Sequence, residues 1–322
     1  MWTHVMELFR DPNMQWILLG SILLGLSSGV LGSFAYLRKQ SLMGDALAHA
    51  ALPGVCIAFM LTGSKSIFFF LIGAVVAGII ATFGIGFVTR NTRIKQDAAL
   101  GIVLSVFFGL GVVLLTKIQQ SGNGNQSGLD TFMFGKAASM VLSDVITMAV
   151  AALVLVFICA LLFKEFKLLS FDQGFAKGIG LPVAFLDQFM MFLIVVAVVI
   201  GIQAVGVVLM SALLITPAVS ARYWTDKLGL MVVLSGTFGA VSGFVGTLIS
   251  SSANNLPTGP VSVLAATLLF VVSVLFAPQR GMISKLLERL AVKRNVLAEL
   301  KQQPRLHSFS GAEQANHKEG QA

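Results

Sequence analysis

The stretch Phe189-Met-Met-Phe-Leu-Ile-Val-Val-Ala-Val-Val-Ile200 decides the fold. It carries no charge and none of the every-second-residue alternation that marks a transmembrane barrel strand. In lipid, such a segment satisfies its backbone N–H and C=O groups internally only as a helix. Comparable apolar runs recur at 15–37, 67–89, 98–115, 145–163, 189–202, 228–250 and 261–277. Several approach the ~20 residues that span a bilayer as a helix. The predicted fold class is therefore all-α, a polytopic transmembrane helical bundle of about eight to nine spans.

Composition points the same way. Of 322 residues, 56% are hydrophobic and 11% charged, with a mean hydropathy of +0.89. A soluble domain carries roughly 25% charged residues to wet its surface. The net charge of +8 does not indicate nucleic acid, because the basic residues lie in short loops between apolar runs and from Arg280 onward. Cys56 and Cys159 sit in apolar segments without CxxC spacing and read as small buried hydrophobes. Residues 1–15 contain acidic side chains and no small-residue cleavage site, so no cleavable signal peptide is expected.

Loop chemistry orients the bundle. Arg38-Lys39, then Arg90, Arg93 and Lys95, then Lys164, Lys167 and Lys177, then Arg222 and Lys227, and finally Arg280 onward form the basic connections. The positive-inside rule places these in the cytoplasm. The uncharged polar stretches 119–128 and 250–257 then fall outside, with Lys117, Asp130 and Lys136 marking the membrane boundary. This gives an outside N-terminus and a cytoplasmic C-terminus in an inner membrane.

Residues 186–224 are too long for one span and are interrupted around Gly201-Ile-Gln-Ala-Val-Gly206. Two short helices, or one span plus a re-entrant piece, both satisfy the pattern. Broken backbone at membrane depth must be buried in protein or line a cavity. Gly20, Gly25, Gly29 and Gly32 predict close helix packing along the first span. A transmembrane domain over 1–280 and a polar cytoplasmic tail over 281–322 are expected, the tail briefly helical from Ile283 and then partly disordered.

Ionisable groups inside the apolar runs are scarce, and each is a functional hypothesis because burying one in hydrocarbon is costly. Asp45 and His49 stand out in Ser41-Leu-Met-Gly-Asp-Ala-Leu-Ala-His-Ala-Ala-Leu-Pro-Gly54. Their i, i+4 spacing puts both on one helix face. Small neighbours at Ala46, Ala48, Ala50 and Ala51 allow a helix or a hydrated path to approach. A carboxylate and an imidazole on one face form half of a divalent-metal site. They equally form a hydrogen bond that ties two helices together. His4, His307 and His317 read as solvated residues. Gln203, Ser211, Thr216 and Pro217 lie in the interrupted segment and either line a path or bond across helices.

No metalloprotease, P-loop, nucleophile-elbow or dinucleotide motif occurs in a fitting context. The chain is read as a non-enzyme that does not itself hydrolyse ATP. Ser170-Phe-Asp-Gln-Gly-Phe-Ala-Lys-Gly-Ile-Gly-Leu-Pro182 differs from the spans. Phe171, Phe175 and Ile179 follow at i, i+4, i+8 among charges, which predicts a short amphipathic helix that lies on the membrane or docks into a soluble partner.

Three segments together resemble the ABC-type permeases that import manganese, zinc or iron in bacteria: RKQSLMGDALAHAALPG (38–54), SFDQGFAKGIGLP (170–182) and VGVVLMSALLITPAVSAR (205–222), in that order. The opening from Asp11 most resembles the manganese branch, and the resemblance runs to about Arg280. It implies a permease subunit of an ATP-driven importer, with two copies forming the membrane core. It further implies a cytoplasmic ABC ATPase dimer, where ATP binds, and an extracytoplasmic metal-binding protein that delivers the cargo. Asp45 and His49 would lie on the metal pathway. Residues 170–182, with Phe171, Asp172, Phe175, Gly178 and Gly180, would couple to the ATPase, and 205–222 would line the gate. No permanently bound cofactor is implied, only a transported divalent metal, most readily Mn²⁺. A gradient-driven secondary transporter is the competing reading, but the sequence shows no matching pair of hydropathy repeats and few intramembrane carboxylates for a proton relay.

Overall fold

The computed structural model describes residues 12–63, 67–120, 142–252 and 256–302. Twelve helices account for nearly all of them, and no strand occurs among the described residues. They are α1 (Pro12–Leu37), α2 (Met43–Thr62), α3 (Ile67–Asn91), α4 (Gln96–Gln120), α5 (Leu142–Leu161), α6 (Phe163–Phe171), α7 (Gln173–Gly178), α8 (Val183–Val205), α9 (Val207–Trp224), α10 (Leu228–Ser252), α11 (Thr258–Phe276) and α12 (Met282–Gln302). Eight of them (α1 to α5, α8, α10 and α11) are long and apolar enough to cross a membrane.

The interrupted segment resolves as two helices, α8 and α9, meeting at Gly206. Gly206 has φ 88° and ψ 165°. A side chain at Cβ makes that region almost inaccessible, so glycine is what permits the break. α9 packs on α1, α2, α10 and α11 inside the bundle. Its broken N-terminal end therefore lies against protein, as apolar surroundings demand.

α1 is the central post, packed against α5, α8, α9 and α10. Its glycines make that possible. A Cβ at Gly25 or at Gly239 would fall on the other residue's carbonyl, and one at Gly32 would fall on the carbonyl of Leu214. Ser235 Oγ donates to the Gly29 carbonyl oxygen at 2.6 Å, joining α10 to α1 across the same seam. In lipid there is no hydrophobic drive between helices, so this close backbone approach and its hydrogen bond hold the pair. α2 forms a second layer with α3 and α4, where Gly54 and Gly73 approach equally closely.

Two expectations need correction. Residues 170–182 are not one amphipathic helix: α6 ends at Phe171, Asp172 is extended (φ −147°, ψ 91°), and α7 covers only Gln173–Gly178. The Asp172 side chain accepts from the Phe175 N–H at 2.8 Å, so the residue acts as an N-cap and restarts the helix. The tail helix is also longer than a brief continuation, running from Met282 to Gln302. His4, most of the 119–128 stretch, Asp130, Lys136, His307 and His317 lie outside the described residues.

Candidate functional site

Asp45 sits in the first turn of α2 and His49 one turn later. His49 Nε2 lies 3.6 Å from Asp45 Oδ1, too long for a firm hydrogen bond. The side chains retain 20% and 40% exposure respectively, so the pair faces an opening and is not sealed in a helix contact. His49 Nδ1 is buried without a hydrogen-bond partner, and the ring meets the edge of Phe108 on α4 at 5.0 Å. Ala46, Ala48, Ala50 and Ala51 are buried. They serve close helix packing and leave Asp45 and His49 as the polar strip of α2.

Pro53 lies inside α2. It has no N–H, so the His49 carbonyl oxygen loses its helical donor. Gly44, just before Asp45, supplies the close approach to α9: a Cβ there would meet Leu214 Cδ2 at 2.9 Å and Ser211 Cα at 3.6 Å. This brings Ser211 beside the Asp45 turn. Thr216 is half-buried, its carbonyl accepting from Ser220 Oγ at 2.7 Å, and Pro217 is a buried interior residue of α9. Gln203 belongs to α8, but its side chain lies outside what the structure describes. Sequence distance separates α2 from α9, and the fold brings Gly44, the neighbour of Asp45, against Ser211.

The donor set is incomplete within one chain. Among the described residues no group of three or more His, Cys, Asp or Glu side chains gathers to hold a metal. One carboxylate and one imidazole suit a first-row divalent ion but leave most of its coordination to water or to another chain.

In the connection that leads into α8, Phe171, Phe175 and Ile179 project with 60%, 59% and 54% exposure. Ala176 between them is buried and anchors α7 to the bundle. Gly180, at φ 85°, turns the chain into Leu181-Pro182 and α8, and a Cβ at Gly178 or Gly180 would touch nothing. The apolar patch thus survives the helix break, displayed across a turn.

Sequence reading missed one interaction. Arg38, read only as a topology marker, pairs with Asp187 near the start of α8, their side chains 6% and 23% exposed. Asp187 is the lone charged residue of α8, and that isolation was the available signal. The pair ties the turn between α1 and α2 to the helix that follows the Phe171–Ile179 patch. That turn is itself braced, with Gln40 N–H donating to Ala35 O at 2.9 Å and Met43 N–H to Gln40 O at 3.0 Å.

Comparison with known proteins bears on this geometry. The profile of the ABC 3 transport family matches residues 10–277. The manganese transport system membrane protein MntC of Bacillus subtilis is 55% identical over 290 residues, covering 90% of this chain and 67% of that protein. The zinc transport system membrane protein TroC of Treponema pallidum is 46% identical over 89% of this chain and 97% of its own length. Among solved structures, PsaBC from Streptococcus pneumoniae in complex with Fab superposes with a TM-score of 0.77 at 33% identity, over 87% of this chain and 98% of the matched one.

Proposed function

We propose, from the premise that this chain belongs to the ABC 3 transport family, that it is the membrane permease of an ATP-driven importer whose cargo is a divalent transition metal, Mn²⁺ first. The observation that carries the reading is the Asp45–His49 pair, half-open on α2 of a bundle otherwise nearly free of intramembrane charge. Relatives named for manganese and for zinc transport both align over most of the chain. Mixed oxygen and nitrogen ligation accepts either ion, and affinity for any such site rises from manganese towards copper. Discrimination therefore falls to geometry and to the protein that delivers the ion.

Two copies meeting at the α2 face would supply two carboxylates and two imidazoles, completing a site that one chain leaves unfinished. Water would fill the remaining positions. Incomplete protein ligation suits conduction, since a site that must release its ion cannot hold it in a closed cage. The Phe171, Phe175 and Ile179 patch would seat in a groove of the cytoplasmic ATPase, with Asp172 and Gly180 shaping the two turns that present it. Ser211, Thr216 and Pro217 on α9, with Gln203 before the Gly206 break, would line the gate beside Asp45. The basic connections support a cytoplasmic C-terminus.

Reconstitution tests the whole reading. Proteoliposomes holding the permease and its ATPase should accumulate Mn²⁺ only with ATP, and Asp45→Asn should abolish the accumulation. Uptake by the permease alone, driven by a proton or sodium gradient, would reject the ATP-driven reading in favour of a secondary transporter.

A further inference from the structure

A groove of about 460 Å³ opens on a different flank of the bundle from Asp45 and His49. α1, α5, α6 and α10 line it, whereas α2 packs on α3, α4, α8 and α9. Its floor is Val30, Cys159 and Gly236, all buried, and its rim is Ala160, Val233 and Thr237, all exposed. Every lining residue but Thr237 and Cys159 is a hydrocarbon or a glycine. The volume falls within the roughly 300–1,000 Å³ of small-molecule sites. From Gly229 to Thr237 it follows α10 for about 12 Å at the helical rise, a slot shaped for the upper part of an extended chain.

The end of the groove is chemically different from its length. Phe163 and Gly229 close it, a Cβ at Gly229 lying 3.7 Å from Phe163 Cζ. Lys164 follows Phe163 directly, Lys167 stands one turn further along α6, and Lys227 precedes α10. All three are exposed, and none forms an ion pair among the described residues. The nearby carboxylates do not neutralise them. Asp226 is held by Arg222 at 3.1 Å and by Arg280 at 2.6 Å. Glu165 turns its Oε2 into the protein, where it is buried. The lining of the slot thus runs into the chain positions that neighbour three exposed lysines, where α5 ends and α10 begins.

We propose that this groove is a binding site for one anionic phospholipid, an acyl chain lying along α10 and the phosphate headgroup seated among Lys164, Lys167 and Lys227. Basic clusters at the end of transmembrane helices recognise acidic headgroups by charge attraction near the membrane surface. A second copy of the chain is a poorer occupant. The open polar face that another copy would complete under the proposed function is on α2, on a different flank. The site needs neither transport nor a particular membrane orientation, so it stands or falls apart from the proposed function.

The test uses the full-length permease, delipidated in detergent and titrated with phosphatidylglycerol or phosphatidylcholine. Native mass spectrometry reads the adduct, and a thermal melt reads the stabilisation. Wild type should retain phosphatidylglycerol at least tenfold better than phosphatidylcholine and melt higher in its presence. Lys164→Gln/Lys167→Gln/Lys227→Gln, confined to exposed positions, should lose that preference while keeping the weaker binding of both lipids. Val233→Trp, which fills the slot from the rim, should lose both. An undiminished phosphatidylglycerol preference in the triple variant overturns the proposal. So does a disulfide between two copies bearing Val233→Cys in lipid vesicles, since the groove would then be a protein contact. Inorganic phosphate matching the lipid's stabilisation would likewise reject the lipid and leave a simple anion site.

Discussion

Breaking the Arg38–Asp187 pair has consequences that follow from its burial. Arg38 is 6% exposed and Asp187 23%, so each substitution strands a different charge in a different environment. Removing one partner of a buried pair costs about 3–5 kcal/mol, mostly as the penalty on the charge left behind. Asp187→Asn strands the more deeply buried guanidinium and should sit near 4–5 kcal/mol on that scale. Arg38→Gln strands a carboxylate that water still reaches, and should cost nearer 3 kcal/mol. Replacing both, as Arg38→Met/Asp187→Leu, leaves no stranded charge and should be close to neutral, so the cycle is strongly non-additive. Unfolding equilibria in mixed micelles, with thermal melts as a second measure, would supply the four corners. The reasoning is refuted if Asp187→Asn lies within about 0.5 kcal/mol of wild type, the ordinary range for surface changes, or if the double variant equals the sum of the singles.

Four further outcomes are expected. Asp45→Asn and His49→Ala should each abolish metal uptake while the assembled complex melts within a few degrees of wild type; loss of uptake that only tracks loss of folded complex would return the pair to a structural role. Phe175→Asp should reduce co-purification of the ATPase several-fold without altering helical content, because it charges a side chain that is 59% exposed and touches little of the bundle. Gly239→Leu should prevent stable folding or lower the melting temperature sharply, since its Cβ would collide with the Gly25 backbone and neither helix can yield locally, a cost at or above the ~1–3 kcal/mol of ordinary overpacking. In a background lacking Cys56 and Cys159, a cysteine at Gln120 should label with an impermeant thiol reagent from outside and one at Gln96 should not; the reverse pattern would invert the orientation.

Much of the candidate site was legible because its logic is local. Asp45 and His49 share a face by helical repeat alone, and the small residues around them are contiguous in the chain. The Phe171, Phe175 and Ile179 patch was legible as apolar residues among charges, but not its form. Periodicity predicted one helix, and an aspartate that bonds the Phe175 N–H competes with the helix interior for its own turn. The approach of Ser211 to the first turn of α2 was beyond sequence reading, because it depends on Gly44 admitting α9.

By itself the sequence determined the solvent, the helical class and the family. Hydropathy and charge act residue by residue, so too few charges to wet a core, set among long apolar runs, leave only a membrane bundle. Only the tertiary structure decided which helices touch. Close approach in lipid rests on pairs distant in the chain, such as Gly25 with Gly239, and either glycine read alone is just a small residue. The break at Gly206 was visible as glycine in an apolar run, yet its form, a 23-residue α8 followed by an 18-residue α9 packed on α1, α2, α10 and α11, was set by the fold. The Arg38–Asp187 pair belongs wholly to the fold, since only packing brings the turn after α1 within reach of the start of α8.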